Sequence, residues 1–453
     1  MINFKSIIKN LGANSIAMLI NICIQLSSVP IFINFWGINL YGEWIILNSL
    51  TAYLLISDIG ISTATSNDFS ICYVQSQYTR CNILLNNYFL FISALFSIVL
   101  FFLIIILFNF NLTALFNLKI ISEKTAEIGL VILVFQVFLG MLENIYLSIY
   151  RATQHYSRGV MIDNSIRIIQ TLFLFCAVVL KLDLIYVFLL FLFPKILGFA
   201  FKFIDTMKYF KLHFSVNYFN RKEFKRIFLL GLPFLSSPIA NSFTVQGFTI
   251  MVGFFIGSAA VVLFNTTRTI INVAKTGLSL VGYSVWPDLT LLYGKNDLIN
   301  LKKLHRYTVS VSFLFSLIVF VFLGLFGKYI YIIWTDGKVE FSYTLFFTFL
   351  LSIVTNSIWF SSSVLLGATN NHKKYSIIFL IASIFSMAIA YQIFLLTTSW
   401  ELIPLSFIAI DLIMIIVVLQ QSLRIVNDSI GDFLYSIITL PFIQSKQILR
   451  RMK

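Results

Sequence analysis

The chain has 453 residues, 59% of them hydrophobic and 11% charged, with 32 Lys and Arg against 18 Asp and Glu. Soluble domains carry about a quarter charged residues, so a water-soluble globule is excluded. Apolar runs pass the roughly 20 residues needed to cross a bilayer, and the stretch 90–108 lacks the two-residue alternation of a membrane β-barrel.

Backbone amides in hydrocarbon must bond within their own segment, so these runs predict helices. In chain order the expected spans are 10–35, 41–62, 83–109, 126–149, 164–181, 184–205, 227–252, 258–284, 306–327, 342–366, 375–397 and 402–423. The first follows Lys5 and Lys9 and runs straight into further membrane sequence, so it reads as a membrane helix rather than a cleaved signal. The third is almost wholly apolar, as a supporting or lipid-facing helix should be. The fold class expected is therefore an all-α polytopic membrane protein of about twelve helices.

Basic residues give the orientation. With the N-terminus cytoplasmic, most of the 32 Lys and Arg fall on the inner side, and Lys119, Lys124, Lys181, Lys328 and Lys338 fall on the outer side. The bias persists along the chain, which supports an even helix count with both termini inside. It also accounts for the net charge of +14 as topology beside anionic lipid, with no nucleic-acid partner. The densest basic cluster, including Lys208, Lys211, Arg221, Lys222, Lys225 and Arg226, follows the sixth span. The expected organisation is a six-helix lobe over 1–205, a basic cytoplasmic linker over 206–226, a second lobe over 227–423 and a cytoplasmic tail over 424–453. The tail mixes apolar residues with Lys446, Arg450 and Arg451 and suits an amphipathic surface helix.

Polar residues inside spans are expensive and mark function by default. In the eighth span Arg268, Asn272, Lys275 and Ser279 recur at i, i+4, i+7 and i+11, on one helical face. Arg268 and Lys275 are about 10 Å apart along that face at 1.5 Å per residue, a spacing suited to an elongated anion such as a pyrophosphate joined to a sugar. The rival is an interhelical salt bridge to an acid such as Asp58 or Glu143. Weaker stripes run along the first span (Asn14, Asn21, Gln25, Ser28), the second (Asn48, Thr51, Asp58, Ser62) and the seventh (Ser237, Asn241, Thr244). Single amides often only glue helices together, but four striped helices point to a shared wet cavity. Asp58 fits three roles: a proton-coupling carboxylate, a counter-ion for Arg268, or an inner gate. Lys195 follows Pro194 in mid-span and is a further cavity candidate, whereas Arg167, near an inner end, can snorkel. Pro30 in the first span and Pro233 with Pro238 in the seventh are candidate hinges, because proline removes a helix hydrogen bond. Cys23, Cys72, Cys81 and Cys176 show no metal-binding spacing.

The stretch Asn39, Leu40, Tyr41, Gly42, Glu43, Trp44, followed by Ser57, Asp58, Ile59, Gly60, Ile61, resembles the signatures at the second helix of polysaccharide exporters. These are the O-antigen (Wzx-type) flippases of the multidrug/oligosaccharidyl-lipid/polysaccharide superfamily. Arg151 to Gln154 after the fourth span and Leu366 to Asn370 after the tenth resemble the family at matching places. The resemblance implies two six-helix lobes in a V around a central cavity lined by helices 1, 2, 7 and 8. It also implies a substrate, an oligosaccharide repeat on undecaprenyl pyrophosphate, moved from inner to outer leaflet of a bacterial cytoplasmic membrane. Arg268 and Lys275 occupy the helix whose cations would engage the pyrophosphate. The first span lacks an arginine, which departs from the peptidoglycan-precursor flippases and argues against that substrate. Surface-polysaccharide polymerase and chain-length machinery are the implied protein partners, alongside membrane lipids.

No covalent chemistry is expected, hence no catalytic residue, metal or cofactor, while coupling to protons, sodium or membrane potential stays open. Two alternatives remain. A multidrug or cation antiporter of the same superfamily would favour a cavity rich in acids and aromatics. A membrane glycan polymerase would need a sizeable outer loop, and the outer breaks here are short.

Overall fold

The computed structural model describes residues 4–215, 218–231, 235–369, 371–397, 399–437 and 439. Among them every regular element is helical, as a chain that must satisfy its own amides in lipid requires. Nine of these helices are long and apolar enough to cross a membrane. The described residues of the three remaining expected spans also lie on helix, in broken or extended form.

Helix α1 (Phe4–Ala52) contains the first break. It runs through Pro30, then Gly37 takes φ 75° and ψ 174°, so α1 is two limbs joined at an elbow. That backbone geometry is accessible to glycine at little cost, which places the corner between the first and second spans. The second limb passes through a 3₁₀ turn (Tyr53–Leu55) into α2 (Ile56–Val74). Next come α3 (Tyr78–Asn109), a short α4 (Leu112–Leu115), α5 (Glu123–Ala152), α6 (Tyr156–Val179) and α7 (Leu184–Thr206). The seventh span is segmented: α8 (Arg221–Gly231), α9 (Ser236–Ser242), a π-helical turn (Phe243–Gly247) and α10 (Phe248–Phe255). After α11 (Ser258–Gly294) follow α12 (Leu298–Thr335), α13 (Tyr343–Ala368), α14 (Lys373–Thr397) and α15 (Leu405–Ile425).

Contacts divide the chain into two compact units, Met1–Val262 and Leu263–Lys453. In the first, α2, α3 and α5 enclose an apolar core around Phe69, Leu84, Leu85, Ile145, Tyr146 and Ile149. The outer flank of α3 shows the opposite pattern, with Phe101, Phe102 and Ile104 exposed as on a lipid-facing surface. Helices α8 and α10 pack on α1, α2 and α3.

The Tyr41–Trp44 signature proves to be a knot beside the Gly37 corner of this unit. Tyr41 stacks on Phe32 (5.0 Å, 7°) and Trp44 on Phe188 (5.0 Å, 26°). Gly42 lies against the start of α11 so closely that a Cβ would stand 2.1 Å from the Ser258 carbonyl oxygen. Glu43 is fully buried, and its carboxylate accepts the backbone N–H groups of Lys119 (2.7 Å), Ile120 (2.9 Å) and Ile121 (2.7 Å). One acidic side chain thus pins the loop before α5 to the helical elbow.

The basic segment after α7 is clasped in turn. Asn82 and Asn86 of α3 accept N–H from His213 (3.1 Å) and Ser215 (2.9 Å), and Asn86 donates to the His213 carbonyl (2.7 Å). Asn87 forms a reciprocal pair with the Asn220 backbone, 2.9 and 3.1 Å. Arg226 reaches Asp68 and Glu223, and Arg80 pairs with Glu223 at 3.3 Å. Three asparagines therefore supply an irregular strand of chain with the partners a sheet would otherwise give.

The second unit is built on small polar residues. Ser316 and Ser357 meet at 3.1 Å between α12 and α13, and Ser362 bridges His305 and Ser422, each at 2.8 Å. Small side chains let membrane helices approach closely and supply the hydrogen bonds that hydrophobicity cannot provide in lipid. A final helical stretch, 430–437, buries Phe433 and Ile437 against Val309, Leu419 and Leu423. Residues 440–453 of the expected surface helix lie outside the described residues.

Asp428 holds this last helix. Its carboxylate is buried, bidentate to Arg306 (2.7 and 2.5 Å) and 2.8 Å from Lys302. Burial alone would raise its pKa, but the hydrogen bonds from Arg306 and Lys302 outweigh that and hold it below the ordinary 3.8. A depressed folded-state pKa stabilises above the unfolded value, and that stabilisation disappears as pH falls through the folded one. Hydrogen exchange over 428–437 should therefore accelerate on acidification below about pH 4, and Asp428→Asn should accelerate it at neutral pH.

Candidate functional site

Helix α11 carries the polar stripe expected of the eighth span, and its residues sit on one face because the helix is continuous through 268–279. The neighbours that fix it belong to the second unit. Phe264 is buried edge-on against Phe349 (5.0 Å), and Thr266 is 2.8 Å from the Tyr331 hydroxyl. Arg268 lies over the Phe264 ring, 5.3 Å from its centroid, and donates to the Asn265 side chain. A ring face under a guanidinium stabilises the cation and orients it. Asn272 is exposed one turn further on. Lys275 is half-buried, within electrostatic reach of Asp411 on α15.

Asp411 is heavily engaged already. It accepts from the Thr355 hydroxyl (2.5 Å), the Trp359 indole N–H (2.7 Å) and the Asn356 amide (3.5 Å), all on α13. Those donors occupy much of the carboxylate's acceptor capacity, and among the described residues Lys275 acts on it through charge rather than through an ion pair within 4.0 Å. Arg268 to Ser279 thus form a cationic, amide-decorated helix face suited to an anion with sugar-like hydroxyls.

The other candidates belong to the first unit. Asp58 is buried beside the 3₁₀ break, where Tyr88 of α3 donates to one oxygen and Asn144 of α5 to the other (2.7 Å). The Tyr88 hydroxyl also lies 2.9 Å from the Met141 carbonyl. Asn21 accepts from Arg167 of α6, and Gln25 is exposed on the same helix. Lys195 is paired with Glu143 at 2.6 Å, and the buried Lys202 approaches the same carboxylate oxygen at 3.0 Å while reaching Asp163. Asn241 is exposed on α9, and its carbonyl accepts from Thr244 (2.9 Å) at the start of the π turn.

Of the hinge candidates, Pro30 is accommodated within a continuous stretch of α1, seven residues before the corner at Gly37. Pro238 is the third residue of α9, within the first turn where proline is tolerated. Pro233 lies outside the described residues. The π turn was not expected; such turns recur at functional sites, and no residue pattern marks this one. Tyr88 and Asn144 were also missed. Asn144 adjoins Glu143 in a span and carried a weak signal, whereas Tyr88 is one of 20 tyrosines and carried none.

No family model matches this chain, and no curated protein matches it. Solved structures do. Lipid II flippase MurJ in an inward closed conformation is 18% identical over 95% of this chain and 92% of its own, with a TM-score of 0.70. An inward-facing multidrug resistance MATE family transporter of the MOP superfamily is 15% identical over 92% of this chain and 98% of its own, TM-score 0.67. A MATE structure in the bent conformation is 14% identical, covering 96% of both chains, TM-score 0.58. The chain shares the polytopic helical fold of these membrane proteins.

Proposed function

We propose that this chain is a flippase that moves an anionic, lipid-linked oligosaccharide, an undecaprenyl-pyrophosphate-linked O-antigen repeat or similar unit, from inner to outer leaflet of a bacterial cytoplasmic membrane. The observation that carries this reading is the α11 face with Arg268 and Lys275 about 10 Å apart and Asn272 between them. Two fixed cations suit a pyrophosphate, and the amide and hydroxyl suit the first sugar. The likeness in fold to a lipid II flippase supports it, as does a basic bias of the kind expected when both termini are cytoplasmic. The proposed mechanism is alternating access of that face to the two membrane sides, with the polyprenyl tail left in lipid. Binding and release suffice; no bond is made or broken.

Complementation tests the reading. The gene is expected to restore surface glycan in a flippase-deficient strain of matching glycan structure. Arg268→Ala and Lys275→Ala should each abolish rescue at unchanged protein level, because a charge-assisted hydrogen bond to phosphate is worth roughly 1.5–3 kcal/mol, about 10- to 100-fold in occupancy. Unchanged rescue by both variants would remove the binding role.

A second reading, a cation-coupled multidrug antiporter, is favoured by the buried Asp58 held between Tyr88 and Asn144 and by the likeness to MATE transporters. Resistance to cationic drugs that depends on Asp58, without glycan rescue, would favour it.

A further inference from the structure

An open trough of about 540 Å³ runs along the outer flank of the first unit between α6 and α7, from Arg158 past Pro194 and Gly198 to Phe173 and Phe193. Its floor lies where the small Pro194 and Gly198 of α7 face α6 between the larger Phe193, Leu197 and Phe201. Gly198 packs against Ile166 so tightly that an added Cβ would stand 2.4 Å from it. The walls are apolar, and Arg158 is the charged group among its lining residues. The guanidinium is bidentate to the buried Asp205 through Nε (2.8 Å) and Nη2 (3.0 Å), while Lys208 meets that same carboxylate at 3.3 Å. Two cations around one carboxylate leave this end positive. The Arg158 side chain remains 48% exposed, and arginine's further N–H donors exceed what Asp205 takes.

Geometry matches one leaflet. From Arg158 to Phe173 the helix rises about 22 Å at 1.5 Å per residue, which covers a headgroup plus the roughly 15 Å of hydrocarbon in half a bilayer. A second trough continues on α7 from Phe193 to Leu182, of similar size and with no charged residue lining it. Of the two troughs, the one that ends at Arg158 has a cation among its lining residues.

We propose that the α6–α7 trough is a binding site for an anionic phospholipid of the leaflet facing the basic loops, one acyl chain lying in the trough and the headgroup phosphate on Arg158. Basic pockets between membrane helices recognise anionic headgroups in this way. The site shares no residue with the α11 face and does not depend on the transported substrate.

Native mass spectrometry of the intact protein, delipidated and then offered phosphatidylglycerol or phosphatidylcholine with identical chains, tests the assignment. Phosphatidylglycerol should be retained in preference by about fivefold, the factor expected of one cation near a headgroup. Arg158→Gln should erase the preference, and Leu197→Trp, at an exposed position on the trough wall, should reduce retention of both lipids. Tyr186→Trp in the uncharged trough should change neither. Equal retention of the two lipids, or wild-type retention by Leu197→Trp, overturns the proposal. Displacement by equimolar undecaprenyl phosphate would also overturn it, by reassigning the trough to a polyprenyl tail. Should Arg158→Gln fail to fold, the Leu197→Trp and headgroup comparisons still decide.

Discussion

Glu43→Ala is expected to cost the protein most of its stability in detergent. The carboxylate is fully buried and is the acceptor for three consecutive backbone N–H groups at 119–121. Alanine leaves those donors without that acceptor, and each buried unsatisfied group costs about 1–3 kcal/mol. Whole domains are stable by only about 5–15 kcal/mol, so the loss is large on any partition. Glu43→Gln keeps one acceptor oxygen but turns an NH2 toward the donors, and should fall between wild type and alanine. Size-exclusion thermostability of the three proteins checks the order. A Glu43→Ala protein that melts with wild type would show that the knot around the Gly37 elbow is not held by this carboxylate.

The second large effect is expected at Glu143. Glu143, Asp163, Lys195 and Lys202 form a four-charge cluster that is neutral as a whole and bridges α5, α6 and α7. Glu143 is the carboxylate both lysines share, so its loss strands Lys195 and leaves the almost completely buried Lys202 with Asp163 alone. Removing one partner of a buried ion pair typically costs about 3–5 kcal/mol. Glu143→Ala should therefore collapse expression or melting temperature. Lys195→Met leaves Glu143 still paired with Lys202, and is expected to be far milder. That contrast also separates two roles for Lys195. A stable Lys195→Met protein with lost transport places Lys195 among the substrate contacts, whereas a stable and active one leaves it as a structural partner of Glu143.

How much of this was legible depends on sequence distance. Helix positions and the shared face of Arg268, Asn272, Lys275 and Ser279 follow from periodicities of a few residues and are found on helices in the structure. The break expected between 35 and 41, by contrast, became a single-residue corner at Gly37 that no period marks. Pairings across helices carry no such period. Asp58 meets Tyr88 and Asn144, 30 and 86 positions away, and Lys195 meets Glu143 at a separation of 52. The start of α3 misled in a specific way: the span is apolar in hydrocarbon, yet Asn82, Asn86 and Asn87 at its end grip the segment after α7. A charge count reads that segment as basic linker and cannot see that its backbone is bound. The Tyr41–Trp44 signature was recognisable as a motif, but its work as a packing and capping knot emerged only from the neighbours of Gly42 and Glu43.

The central claim is that the cations of α11 hold a lipid-linked anion during translocation. Purified protein in liposomes, given a fluorescent undecaprenyl-pyrophosphate-linked oligosaccharide, measures it directly. Wild type should move the lipid between leaflets, and an Arg268→Ala, Lys275→Ala double variant of equal melting temperature should not. Equal translocation by both proteins, or transport of cationic drugs with none of the glycolipid, would contradict it.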